Sequence, residues 1–250
     1  MTTLALDLGN TALKYGVFTA AGLQESGVLA EPRQLGELWQ RNQPPHAILA
    51  SVATEAEAQP WLSELSEVLR QILPLRPGFT PVPLRNAYAT PHTLGADRLA
   101  GAVGAAHLRP GQSTLVIDAG TALKLDLVTA DGTYHGGSIG PGLRMRLRAL
   151  HTFTGRLPLL ELPEPAAAVQ LIGDSTASSM LSGVLNGMAA EVNGLVAEYR
   201  QRYPGLGLVL TGGNAPYLQP RLAPALGLIF VVPELVLMGL DRILRHNVDR

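Results

Sequence analysis

The sequence predicts an α/β protein built as two lobes, and three observations carry that expectation. The phrase Asp7-Leu8-Gly9-Asn10-Thr11-Ala12-Leu13-Lys14 returns near the middle of the chain as Asp118-Ala119-Gly120-Thr121-Ala122-Leu123-Lys124, one residue shorter. Each copy follows a strand-like apolar run, Leu4-Ala5-Leu6 and Leu115-Val116-Ile117, and precedes another, which reads as strand, tight turn, strand, twice over. The 250 residues also suffice for two lobes of roughly 120 each, and the rest of the chain alternates strand-length apolar runs with stretches of helical period. The predicted lobes are residues 1–113 and 114–250.

In the first lobe, Leu4 to Leu8 and Lys14 to Phe18 form the first hairpin, with a third strand around Gly27 to Ala30 and a weak helix from Gln34 to Asn42. Ala47 to Val52 is an apolar run of strand length. Thr54 and Glu57 make a capping box, with Trp61, Leu65, Val68, Leu69 and Ile72 at helical spacing behind it. Pro74, Pro77, Pro81, Pro83 and Pro91 constrain a loop with at most one short strand. That loop delivers Thr93-Leu94-Gly95-Ala96-Asp97-Arg98, which opens a helix rich in small residues and running to about Leu108.

The second lobe continues from Lys124 through the turn Ala130-Asp131-Gly132 into Thr133 to Ser138, a hairpin. It runs into Gly136-Gly137-Ser138-Ile139-Gly140-Pro141-Gly142, whose glycines imply backbone packed closely against something. Arg144, Arg146, Arg148 and Arg156 read as a solvated helix face. Leu157 to Gln170 is loop. Gly173 to Thr176 caps a long helix to about Tyr203, on which Ser179, Gly183 and Gly187 recur every fourth residue and would let another helix approach closely, from this chain or a second copy. Leu208 to Leu210 leads into Thr211-Gly212-Gly213-Asn214, a strand ending in a glycine turn and a third candidate nucleotide corner. Leu228 to Val232 is the last strand, and Pro233-Glu234 starts a helix ending near His246.

The duplicated phrase has the chemistry of a phosphate site. A carboxylate at a buried strand end requires a cation or a hydrogen-bond network. Glycine lets main-chain N–H groups approach a ligand, and the Thr hydroxyl and Lys ammonium supply donors suited to phosphate oxygens. Two such corners facing each other would grip a polyphosphate and its metal. Either copy alone is also explained by an ordinary Asp-Gly hairpin, but Lys14 and Lys124 are the only lysines in the chain and both fall in register in the repeat. Asp97 has two readings, a carboxylate favoured by the dipole of a helix start, or a proton acceptor beside an anion-holding Arg98.

Several classes are disfavoured. The net charge of −1 gives no electrostatic footprint for nucleic acid. The absence of Cys removes disulfides and thiolate metal sites and fits a reducing cytoplasm. No basic segment precedes Asp7, which argues against a signal peptide, and the most apolar stretch, Leu222 to Leu240, is cut by Pro224, Pro233 and Glu234, so no membrane span is expected. Neither G-x-x-x-x-G-K-[ST] nor a helix-opening G-x-G-x-x-G is present. The six histidines show no metal-ligand spacing. Gly136 to Gly140 matches G-x-S-x-G, but in a hairpin and not at a strand-to-helix elbow.

Taken together, Asp7-x-Gly9-Asn10-Thr11-x-x-Lys14, Leu94-Gly95-Ala96-Asp97-Arg98, Asp118-x-Gly120-Thr121-Ala122, Gly136-Gly137-x-Ile139-x-Pro141-Gly142, the Gly173 to Gly183 run with Thr176, and the Thr211-Gly212-Gly213 turn resemble the type III pantothenate kinase family across almost the whole chain. The resemblance implies two ribonuclease-H-like lobes of the actin-like ATPase kind, mixed sheets flanked by helices, and phosphorylation of pantothenate by ATP, the first step toward coenzyme A. It implies that Asp7, Leu8, Gly9, Asn10, Thr11, Ala12, Leu13 and Lys14 form a phosphate corner and that Thr121 contacts ATP. Asp97 would be the base, and Tyr88, Gly95, Ala96, Asp97, Arg98 and Thr176 would line the pantothenate pocket of a cytoplasmic homodimer. Asp118 would hold a monovalent cation, potassium or ammonium, while Mg2+ accompanies the ATP. The related Bvg accessory factors, first described as regulators, leave a non-catalytic ATP-binding reading open, and a kinase of the same fold acting on another small alcohol is the second alternative. One departure stands out: the family usually has Thr where Lys124 stands, in a pattern D-x-G-T-A-x-T-x-D that ends here at Asp126. A lysine there would take part of the cation's place or satisfy Asp118 directly.

Overall fold

The structure, a computed structural model, describes residues 1–9, 12–64 and 72–248. The chain starts with β1 (Thr3–Leu8), β2 (Leu13–Thr19) and β3 (Gly22–Leu29), then α1 (Arg33–Asn42), β4 (His46–Ser51), α2 (Glu55–Glu64) and β5 (Ile72–Pro74). After β6 (Arg85–Asn86) comes α3 (Ala96–Leu108), then β7 (Thr114–Ala119), β8 (Ala122–Val128) and β9 (Thr133–Pro141). There follow α4 (Leu143–Thr152), α5 (Thr176–Leu181), a π-helical segment (Ser182–Asn186) and α6 (Gly187–Arg202). The chain ends with β10 (Gly207–Thr211), α7 (Ala215–Leu218), β11 (Ile229–Val231) and α8 (Leu235–Val248).

These elements form two compact units. One holds Met1–Gly111, Val128–His135 and Glu234–Arg250, the other Gln112–Leu127 and Gly136–Pro233. The duplication extends well beyond the hairpins. The first sheet has the order β3-β2-β1-β4-β5, and the second contains β9-β8-β7-β10-β11, the same order with every number raised by six. In the first, β2 is antiparallel to β1 and β3, while β4 is parallel to β1 and β5. In the second, β10 is parallel to β7 and β11. The mixed sheets follow from how the chain connects its strands: a tight turn can only reverse direction, and a helical crossover is needed to bring the next strand in parallel. The short β6 pairs with the Thr133-Tyr134 end of β9, which clusters with the first unit.

In the first unit, Leu4, Leu6, Leu13, Leu35 and Ile48 are fully or almost fully buried, and α3 and α8 cover the sheet with Leu99, Val103, Leu237, Leu240 and Ile243. The approach of α3 to α8 relies on glycine. A Cβ at Gly239 would fall inside the Ala100 carbonyl, and one at Gly104 would meet the Leu235 carbonyl. A buried network anchors α8 to the first hairpin: Asp241 accepts from Thr3 Oγ1 at 2.5 Å and from Arg245 Nε at 2.7 Å, and Arg245 also donates to the Thr19 carbonyl at 3.1 Å. In the second unit, Leu115, Ile117, Leu123, Leu125, Met188, Val192 and Leu208 form the core.

The capping box at Thr54 is present, with Glu57 Oε2 accepting from the Thr54 amide at 2.8 Å. Of the apolar positions expected behind it, Leu65, Val68 and Leu69 lie outside the described residues, and Ile72 opens β5 instead of extending a helix. The third strand starts at Gly22, earlier than its apolar end suggests, because it pairs along the whole of β2. On the small-residue stripe of the long helix, Ser179 is approached by Gly173, whereas a Cβ on Gly183 or Gly187 would meet nothing within 4 Å among the described residues. Close helix packing by glycine occurs between α3 and α8.

Candidate active site

In the first unit, Asp7 lies half-buried near the end of β1, in register with Lys14 across the hairpin. The Gly9 amide donates to the Ala12 carbonyl at 3.1 Å and closes the turn. A Cβ on Gly9 would meet only that carbonyl, at 3.6 Å, so the described packing does not demand a glycine; it leaves backbone open to approach. Leu8 and Leu13 are core side chains, leaving their backbone alone to serve a ligand, whereas Lys14 is exposed. Asn10 and Thr11 lie outside the described residues.

The Gly-Ala-Asp-Arg segment belongs to the same unit. Gly95 is the N-cap of α3 in extended conformation, with no side-chain cap, and Asp97 stands in the first turn. There Asp97 Oδ1 accepts from the Arg98 amide at 2.8 Å. Arg98 is buried, its guanidinium carbon 5.5 Å from the centre of the Tyr88 ring and Nη1 3.5 Å from the Tyr88 hydroxyl. Tyr88 in turn stacks on the fully buried Tyr134 with ring centres 6.1 Å apart. A guanidinium fixed this way presents a rigid fork suited to an anion. A cavity of about 430 Å³ reaches this helix start, bordered by Ser51, Leu75, Phe79, His92, Gly95 and Ala96. Since Ser51 pairs with Leu8 in the β1–β4 register, the cavity wall adjoins the strand that carries Asp7.

In the second unit, two segments converge on the Asp118 turn. The Gly120 amide donates to the Ala122 carbonyl at 3.1 Å, as in the first hairpin. The Gly142 amide, at the end of the Gly136 to Gly142 run, donates to the Thr121 carbonyl at 3.1 Å, and a Cβ on Gly142 would overlap that carbonyl. Asn214, next to the Thr211-Gly212-Gly213 turn, donates its amide to the Ala119 carbonyl at 2.7 Å and its side chain to the Gly120 carbonyl at 2.8 Å. The glycine-rich run and the third glycine turn therefore clamp the second corner in place, leaving Thr121 exposed. The structural role of Asn214 escapes a sequence reading; its only signal is its position directly after the glycine pair. Gly212, at φ 91, is needed both for that backbone conformation and because a Cβ would overlap the Asp118 carboxylate and the Ala119 backbone.

Asp118 meets Lys124: Nζ lies 2.8 Å from Oδ2, with side chains 14% and 18% exposed for Lys124 and Asp118. A potassium or ammonium ion at the same carboxylate would stand beside an ammonium already in place. Two unit positive charges about 4 Å apart repel by about 4 kcal/mol at the effective dielectric of such a site. Among the described residues, no group of three or more acidic or histidine side chains forms a metal cage. Magnesium does not call for one, since it keeps several waters and is held by one or two carboxylates and by phosphate.

Thr176, also in the second unit, is the first residue of α5, behind a capping box in which Ser175 and Ser178 bond each other's backbone. It lines a cavity of about 850 Å³ with Leu150, Leu157, Asp174, Ser175 and Met180.

Comparison with known proteins decides the family. The family model described as type III pantothenate kinase matches residues 3–198. A Cytophaga hutchinsonii protein named type III pantothenate kinase is 38% identical over 245 residues, 98% of this chain and 99% of its own length. The chain belongs to the type III pantothenate kinase family. Pantothenate kinases of this type use ATP to phosphorylate pantothenate, the first step of coenzyme A biosynthesis, and the chain is such a kinase. Solved structures agree on the fold at low identity. A Campylobacter jejuni chain described as a putative Baf family transcriptional activator superposes with a TM-score of 0.62 at 18% identity, covering 99% of this chain and 100% of its own. A Streptomyces griseus ROK family glucokinase, solved with glucose and AMPPNP, gives 0.54 at 12% identity, covering 98% of this chain and 100% of its own. The fold is accordingly that of the sugar kinases and actin-like ATPases, as the family resemblance implied.

Proposed function

We propose that Asp97 is the base of the pantothenate kinase reaction in this chain and that the two Asp-Gly corners serve ATP. The observation that carries the first part is the Asp97, Arg98, Tyr88 group at the start of α3, where a half-buried carboxylate stands in the first turn next to a buried guanidinium held by an aromatic ring. Arg98 holds the carboxylate of pantothenate, Tyr88, Gly95 and Ala96 line the acceptor pocket, and Thr176 is a further residue for pantothenate binding. The primary alcohol of pantothenate attacks the γ-phosphorus of ATP, the bond to the ADP oxygen breaks, and the alcohol proton passes to Asp97. Because bond breaking leads in a loose transition state, most of the catalysis comes from positioning and charge neutralisation.

ATP is held by the Asp7 to Lys14 turn, with Asn10 and Thr11, and by Thr121. Magnesium, arriving with the nucleotide, neutralises phosphate charge, and Asp7 is the carboxylate to meet it. This reading predicts ADP release that depends on pantothenate and is absent with other small alcohols or sugar acids. ATP binding without pantothenate-dependent ADP release would favour a regulatory protein.

The working form is a cytoplasmic homodimer, supported by apolar side chains left at the surface of the second unit. Leu171 and Ile172 are 79% and 84% exposed. They sit where the Leu171 carbonyl accepts from Ser182 beside the open Gly183 and Gly187 stripe. Exposed apolar surface next to small residues suits a second copy of the same helix. Ile172→Asp is expected to halve the mass measured by light scattering at micromolar protein; an unchanged mass would place the interface elsewhere.

A further inference from the structure

We propose that Lys124 is a built-in monovalent cation, and that phosphoryl transfer by this chain proceeds without potassium or ammonium. The inference rests on the ATP-binding role given to the Asp118 turn. The expected cation ligand, Asp118, is already engaged: Lys124 Nζ lies 2.8 Å from Oδ2 and both side chains are mostly withdrawn from water. The other carboxylate oxygen, Oδ1, lies beside two glycines, 3.2 Å from where a Cβ of Gly120 would stand and overlapping that of Gly212.

The strand fixes the lysine in this place. Leu123 and Leu125, each 1% exposed, lock one face of β8 into the core, so the pleat turns Lys124 to the opposite face. Asp126 lies two residues on, 3% exposed and on the same face as Lys124. An ε-ammonium is in effect an ammonium ion on a tether, a compact point charge with three rotatable donors that carboxylate and phosphate oxygens accept. The choice of residue supports the same reading. Histidines aside, all other basic side chains apart from Lys14 are arginine, whose planar fork does not imitate a spherical ion. A tethered charge is present at every salt composition, which makes dependence on a dissolved ion unnecessary.

The test measures pantothenate-dependent ADP release by the full chain in KCl, NH4Cl and NaCl at equal ionic strength, together with the melting temperature in each salt. The wild type is expected to turn over at rates within about twofold of one another in the three salts, a difference far smaller than the tenfold that 1.36 kcal/mol of barrier makes, and to melt at one temperature. Lys124→Thr is expected to lose about ten- to a hundredfold in NaCl, the size of one charged hydrogen bond. That loss should be recovered saturably by KCl or NH4Cl, with a melting temperature that rises with the same ions as bound ligands require. A purely structural lysine would give a loss that no ion recovers. Stimulation of the wild type by about tenfold or more in KCl, with a rise in its melting temperature, overturns the proposal, as does a Lys124→Thr enzyme fully active in NaCl. Should that variant not fold, the wild-type salt response decides alone. Absence of ADP release in every salt would instead count against the kinase roles, while the melting series still reports on the ion.

Discussion

Asp97→Asn is expected to lower the turnover of pantothenate-dependent ADP formation by about a hundredfold or more, the usual consequence of removing a general base, while ATP binding is retained. The substitution preserves the local structure. An Asn Oδ1 still accepts from the Arg98 amide, the contact that Asp97 makes at 2.8 Å, so the start of α3 stays formed. What disappears is the negative charge and the capacity to take a proton. If Asp97 served only the helix dipole, its loss would cost about 0.3–1 kcal/mol of stability and leave turnover intact. Measuring kcat, KM for both substrates and the melting temperature on one preparation separates these outcomes, and near-normal kcat would remove Asp97 from the role of base.

The second large effect is structural. Gly239→Ala is expected to destabilise the fold by about 3 kcal/mol, the upper part of the range for overpacking, and so to lower the melting temperature by roughly 6–12 °C for a chain of this size. The added methyl would occupy the position of the Ala100 carbonyl, with the Gly104 amide nitrogen 2.9 Å away. Relief is possible only by moving α8 away from α3, and Ala100 lies one turn beyond Asp97 on the helix that carries the acceptor site. Gly101→Ala is the control on the same helix, because its methyl would find only Val236 Cγ2 at 3.9 Å. That change is expected to be neutral or to stabilise by about 0.4–1 kcal/mol through loss of unfolded-chain freedom. Equal melting of the two variants would show that the α3–α8 contact is not set by glycine.

The hairpins were legible because each joins two apolar runs through a glycine turn, a pattern confined to a few neighbouring residues. The Gly136 to Gly142 run was equally legible as close-packed backbone, and its partner proved to be Thr121 and Leu125 carbonyls on the adjoining strand and turn. Other features were hidden. Ile72 continued a helical spacing yet pairs with Ala47 as a strand, since spacing cannot reveal a vacant edge on a neighbouring strand. The Ser179, Gly183, Gly187 stripe suggested a close helix partner, whereas within the chain glycine brings together α3 and α8, whose contacting residues are far apart in sequence.

The amino-acid sequence by itself determined the two Asp-Gly corners, the α/β class and the family, because turn chemistry, apolar period and motif order are local properties of the chain. Only the tertiary structure decided that both sheets share one strand order, that Gly142 and Asn214 clamp the Asp118 turn, and that Lys124 Nζ reaches the Asp118 carboxylate. Those facts depend on side-chain direction and on hydrogen bonds between distant segments, which are settled when the strands pair and the core excludes water.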